Sequence, residues 1–243
     1  MMSCFNLIRD LAKELNFTVF NVNNFHVKDD LYIDLFVFTK DKFDYFLVAE
    51  IPFNKLSFIN SEIQIALSVK LRKHIDSIND GSDSYFEVSH YFDKNTTFII
   101  TTEVNLEILK EEVYKQVSAV EEDSYYFKKQ VVYYTYSELD FFKKIMGSEK
   151  IKIYEYCGSV ISSLSRYESY VAGSDLEYDF ISKLYEKLPF LNLSVVEEEL
   201  LNLDDMINSS LSEEENKARL GFLSLNNDEE INNWIDEIGI END

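Results

Sequence analysis

The chain is short of the residues that usually announce phosphate chemistry or irregular backbone. Six glycines occur in 243 residues, and none falls in a GxGxxG, GxxxxGK[ST] or GxSxG pattern. A loop of backbone amides cradling phosphate has nowhere to form, which excludes ATP hydrolysis by this chain alone. With only two prolines as well, collagen-like tracts and long flexible linkers are excluded, and the turns must be built from Asn, Asp and Ser. Cys4 and Cys157 are the only cysteines; two thiols so far apart make no disulfide framework, and the bland reading is a pair of ordinary buried thiols. Histidine is equally scarce. His26, His74 and His90 form no HExxH or His-x-His, so no zinc site is expected. Neither a metal nor a cofactor is called for, and with no leader-like segment or 18-residue apolar run the cytoplasm is the expected compartment.

Positive charge is also in deficit. Lys and Arg number 23 against 45 Asp and Glu, a formal net charge of −22. Bulk attraction to DNA, RNA or anionic lipid is excluded, because phosphate binding draws on Lys and Arg. The deficit is uneven: residues 1–150 carry net −7 and residues 151–243 net −15. Such a charge would also suit a mimic of DNA, but its concentration in the second part fits a folded subunit better. Two regions are therefore expected, an α/β domain over 1–147 and an acidic helical region over 148–243.

What is abundant is apolar and aromatic surface, 46% and 15% of the chain, so the chain folds. Cys4 to Leu15 carries an apolar stripe at helical spacing, with Arg9, Asp10, Lys13 and Glu14 outward. Phe17–Val22 reads as a strand. Leu31–Phe38 and Phe43–Ile51 read as a hairpin whose strands are apolar on both faces apart from Asp34, Asp44 and Glu50, which predicts a central position covered by helices on both sides. A helix over 61–78, a strand over Lys94–Thr102, a helix marked by Val113, Val117 and Val120, and a strand over Tyr125–Tyr136 follow. The order α-β-β-β-α-β-α-β predicts a mixed sheet flanked by helices. Beyond Ser137 the pattern is helical, with capping boxes expected at Ser194/Glu197 and Ser212/Glu215.

Candidate functional residues fall into three groups. Asp34 and Glu50 on neighbouring strands after an opening helix resemble the core of the PD-(D/E)xK nucleases, in which two carboxylates hold a divalent cation and a lysine two residues past the second activates water. Here that position is Pro52, with Lys55 three residues later, so a degenerate, inactive form of that scaffold is the expectation and an active nuclease the alternative. Lys70, Arg72 and Lys73 with His74 make a basic helix face, read as solvated, and the Glu121-Glu122-Asp123 run is read as facing water. Trp234 with Ile231 and Ile235 forms an apolar stripe on an acidic terminal helix, suited to docking on its own domain or on a partner.

The stretch Val120-Glu-Glu-Asp-Ser-Tyr-Tyr-Phe-Lys-Lys-Gln-Val-Val-Tyr-Tyr-Thr135, preceded by Lys94–Ile100 and followed by Tyr178–Phe190, is similar to the middle component of bacterial ABC-three-component systems, the group that includes Lamassu-type operons. The resemblance implies a non-catalytic accessory subunit of an anti-phage and anti-plasmid defence complex. Such a subunit would bridge or regulate an SMC-like ATPase and an effector nuclease through protein–protein contacts. It offers no catalytic residues. Tyr125, Tyr126, Phe127 and Lys128 join Trp234, Ile231 and Ile235 as candidate partner-binding residues.

Overall fold

The computed structural model describes residues 3–79, 86–90, 92, 94–105, 107–108, 110–148, 152–193, 203–225 and 227–239. By compactness the chain divides into Met1–Leu193 and Ser194–Asp243. The change in charge and pattern near residue 148 thus lies inside the first unit; charge changes there and packing does not.

The first unit is built on a five-stranded mixed sheet in sequential order, β1 (Thr18–Lys28), β2 (Leu31–Thr39), β3 (Tyr45–Glu50), β4 (Thr96–Glu103) and β5 (Lys128–Tyr134). β1–β2–β3 is an antiparallel meander, and β3, β4 and β5 run parallel. The parallel pairs are joined through α2 (Gln64–Asn79) and α3 (Lys110–Glu121), as crossover connections require. β1 runs well past Val22. Its ladder to β2 slips between Val22 and Phe25, and Asn24, with φ +53°, takes up the bulge and bends the strand.

The turn between β2 and β3 is made without glycine. Asp41 Oδ1 accepts the amides of Phe43 and Asp44 at 3.0 and 3.3 Å, bonds that hold its carboxyl below the usual range. Lys42 there sits at φ +66°, and three of the five positive-φ residues other than glycine among the described residues are Asn or Asp, the types that tolerate this region best.

Strands β2 and β3 are buried on both faces, because alternate residues enter two separate cores. One joins Leu35, Val37, Leu47, Ala49 and Ile100 to Ile63, Leu67, Leu71 and Ile75 of the α2 region and to Val113, Val117 and Val120 of α3. The other joins Phe36, Phe38, Phe46, Val48 and Val132 to Leu7, Ile8 and Leu11 of α1 (Cys4–Glu14). It continues into α4 (Tyr136–Ser148), α5 (Ile153–Ile161) and α7 (Leu176–Lys187). Phe190 closes the second core at one corner, its ring 5.1 Å from Phe38 and 5.4 Å from Phe46. Burying each such ring is worth about 2–3 kcal/mol.

Helix α1 is capped by the Ser3 side chain, which accepts the amide of Asn6. Its last residue, Glu14, accepts the amides of Ile153 and Tyr154 at 3.1 and 2.9 Å and so supplies the N-terminal cap of α5 from 139 residues away. The helical pattern after α4 is divided here between two helices, α5 and α6 (Leu164–Val171). Asp175 caps α7 and is gripped by Arg166 through two bonds of 2.8 Å. The second unit contains α8 (Leu203–Ser210), α9 (Glu213–Leu223) and α10 (Asp228–Gly239). Ser212 and Glu215 form the expected capping box, whereas Ser194 and Glu197 lie outside the described residues. No helix among the described residues is long and apolar enough to cross a membrane.

Candidate functional site

Two places combine sequence-level candidates with unusual geometry. The first lies where β2 begins and β3 and β4 end. Asp34 and Glu50 sit one position beyond the last ladder pair, Leu35 opposite Ala49. Residues in that relation are cross-strand neighbours on one face. Glu103 follows two residues after Thr101, the partner of Glu50 on β4, so alternation brings a third carboxylate to the same face. All three line a cavity of about 760 Å³ together with Arg9 of α1 and Lys55.

Lys55 is there because Pro52 opens a 3₁₀ turn, Phe53–Lys55, that returns the chain to the strand ends. From sequence the lysine looked stranded beyond β3. The hydroxyl of Tyr134, itself buried, donates to Glu50 Oε1 at 2.9 Å and fixes that carboxylate. Burial, and then the Glu50 charge, push the Tyr134 hydroxyl far above the ordinary phenol value, which keeps it protonated as a donor. Asp34 Oδ1 accepts the amide of Asn24 at 2.8 Å. Among the described residues Arg9, Lys55 and Glu103 enter no ion pair, and Arg9 Nε is buried without a hydrogen-bond partner. The cavity can therefore meet both anionic and cationic groups. No group of three or more His, Cys, Asp or Glu among the described residues is placed to hold a metal ion. Arg9, Glu103 and Tyr134 were missed in the sequence, where each reads as ordinary strand or helix patterning.

The second place is the turn before β5. Lys129 is wholly buried, although Phe-Lys-Lys reads as surface. Its ammonium donates to Gln64 Oε1 at 2.8 Å, Asp123 Oδ1 at 2.9 Å, and the carbonyls of Tyr125 and Phe127 at 2.9 and 3.2 Å. Partial burial raises the Asp123 carboxyl, but hydrogen bonds from Lys129, Tyr125 and Gln64 outweigh that and leave it below the ordinary value. Glu121 is likewise engaged: it accepts the amide of Val131 at 2.7 Å and pairs with Lys187 at 3.0 Å. Of the acidic run expected to face water, only Glu122 is exposed; Glu121 and Asp123 tie α3 to β5 and α7.

The Lys129 network fixes a three-residue turn closed by the Phe127 amide on the Tyr125 carbonyl at 2.8 Å, with Tyr126 at φ +61°. Tyr125 and Tyr126 remain 71% and 51% exposed, while Phe127 is 2% exposed and part of the core against Phe98. Phe127 is therefore removed from the candidate contact residues, and Lys128 beside it is exposed.

The remaining candidates stay apart. Trp234 is half-buried against Phe222 of its own unit, ring centres 5.2 Å apart; Ile231 is half-buried and Ile235 is 53% exposed. His74 packs its ring edge-on against Phe25, and Lys70 of the basic face donates to the Val27 carbonyl at 2.9 Å. Cys4 and Cys157 are free and buried. Burial, aided by Glu14 and Glu177, raises the Cys157 thiol to about 12, and burial with Glu50 and Glu138 raises Cys4 further still. A raised, buried thiol holds little thiolate, the form that attacks.

Comparison with known families gives one finding. Residues 44–154, from the start of β3 into α5, match the model of the ABC-three component (ABC-3C) system Middle Component 1 family. The matched span holds Gln64, Asp123, Tyr125, Tyr126 and Lys129 but neither Arg9 nor Asp34. Comparison with curated proteins and with solved structures returns no match.

Proposed function

We propose, with the family match over residues 44–154 as the premise, that this chain is a non-catalytic accessory subunit of a bacterial ABC-three-component defence system. It would bridge or regulate an SMC-like ATPase and an effector nuclease in the cytoplasm through protein–protein contacts. The family match carries the reading. Three features support it: the sequence carries no GxGxxG or GxxxxGK[ST] motif, both thiols are buried, and helices pack on both faces of the sheet. The net charge of −22 favours basic partner surfaces, which it would steer and select more than it would tighten. Co-expression with the products of the neighbouring genes, followed by affinity purification and light scattering, tests the reading. A salt-sensitive hetero-oligomer is expected. A chain that stays a lone monomer at micromolar concentration with every neighbour would overturn it.

A second reading has one observation in its favour: the fold gathers Asp34, Glu50 and Lys55 into one cavity, the residue types a metal-dependent PD-(D/E)xK-like nuclease employs. Incubation with plasmid and linear DNA in Mg²⁺ or Mn²⁺ decides it. Cleavage that Asp34→Ala and Glu50→Ala each abolish would establish the nuclease and displace the accessory reading.

A further inference from the structure

We propose that the turn at Tyr125–Phe127 is a docking point whose two exposed tyrosine rings receive arginine guanidinium groups of a protein partner. The proposal rests on the accessory-subunit reading and adds the chemistry of one contact. The argument starts from a mismatch between residue and backbone. A turn closed from residue i to i+2 with positive φ at its centre belongs to the rare, strained γ class. Glycine enters it freely and a side chain does not. Tyr126 occupies it at φ +61°, held by the Lys129 ammonium, which bonds the carbonyls on both sides.

About half of the surface of Tyr126 stays open to solvent. Among the described residues neither Tyr125 nor Tyr126 meets another ring or a cation, and they are 71% and 51% exposed. Strain retained by a buried, charged stake at an exposed aromatic pair is the arrangement expected of a preorganised contact. Tyrosine suits it, because its large rigid ring has few torsions to freeze.

Charge selects the occupant. Guanidinium planes stack on phenol faces. Exposed Glu122 lies three residues before Tyr125 and exposed Lys128 two residues after Tyr126, so the turn itself carries both signs, and the chain's overall excess of negative charge steers a basic surface inward. Nucleic-acid bases also stack on aromatic rings, but they require a basic groove to carry the phosphates.

The test uses the full chain co-expressed with the products of the two genes flanking its own. Tyr125→Ser/Tyr126→Ser is expected to weaken the complex at least tenfold, and Tyr125→Phe/Tyr126→Phe to retain it. Tyr126→Gly should weaken it with an unchanged or raised melting temperature. Tetranitromethane should nitrate both tyrosines in the free chain and neither in the complex. Phenylglyoxal treatment of the partner before mixing should abolish binding. Full affinity in the double serine variant would overturn this inference and leave the accessory reading standing, as would binding that survives phenylglyoxal. No complex with either gene product would overturn both. Protection of the tyrosines by single-stranded DNA alone, or by a self-association that the serine variant dissolves, would assign the turn to a different occupant and reject the proposal.

Discussion

Replacing Lys129 by methionine probes whether one buried charge organises the turn before β5. Methionine keeps most of the aliphatic stem, so the change isolates the ammonium. Four acceptors lose their donor, among them the Asp123 carboxylate, whose side chain is 20% exposed. Removing one member of a buried ion pair costs about 3–5 kcal/mol; the partial exposure of Asp123 places this case near the lower end, about 3 kcal/mol. At a urea slope of about 2 kcal/mol/M the unfolding midpoint should fall by about 1.5 M. If the stranded carboxylate is the cause, adding Asp123→Asn to Lys129→Met should recover about 1 kcal/mol, although Asp123→Asn alone destabilises. The pH dependence has a definite sign. Asp123 is held below its ordinary value in the folded chain, so its contribution is present above the unfolded carboxyl value of about 3.9 and is lost as pH falls through the lower folded one. The gap between wild type and variant should therefore be constant near neutrality and narrow below about pH 4. A loss under about 1 kcal/mol, or an Asp123→Asn effect identical in both backgrounds, refutes the reasoning.

Glu138, buried and bonded to Lys183 at 2.7 Å, gives a second pH test. Burial raises its carboxyl, but Lys183 and Thr135 outweigh this and lower it, while Lys183, opposed by its own burial, is raised by Asp179 and Glu138. The pair should stabilise evenly between about pH 5 and 10 and fade outside that window, and Glu138→Gln should flatten the acid side of a melting-temperature profile. Glu14→Ala removes the cap of α5 and should cost about 1 kcal/mol by urea titration; an unchanged midpoint would mean that water replaces the carboxylate. Cys4 and Cys157 should resist Ellman's reagent in the folded chain at pH 8 and react fully in guanidinium, and rapid reaction of either in the native state would contradict their burial.

The helices and strands of the first unit were legible because their patterns are local: Phe36, Phe38 and Leu35, Val37 divide cleanly between two covered faces, and that division by itself predicts helices on both sides. What escaped depends on residues distant in sequence. Nothing around Glu14 indicates that it caps a helix 139 residues later. Lys129 follows Lys128 in a polar turn, and its burial depends on Gln64 from another crossover. The pairing of Asp34 with Glu50 was readable from the hairpin register, but Arg9 lies on what periodicity marks as the wet face of α1, and Lys55 reaches the cavity only through the turn that Pro52 starts. The acidic run at Glu121 misled for the same reason, since its cationic partners come from β5 and α7.

The bulge at Asn24 bears on how copies of this molecule avoid one another. β1 is the outer strand of the sheet, and a long flat outer strand would offer its unpaired amides and carbonyls to any neighbouring chain as a template for aggregation. The slipped ladder between Val22 and Phe25 and between His26 and Lys28 twists and interrupts that row, and the exposed asparagine, histidine and lysine side chains along it disfavour a flush approach. On the β1 side, then, strand-by-strand growth is discouraged, and whatever assembles there must recognise side chains.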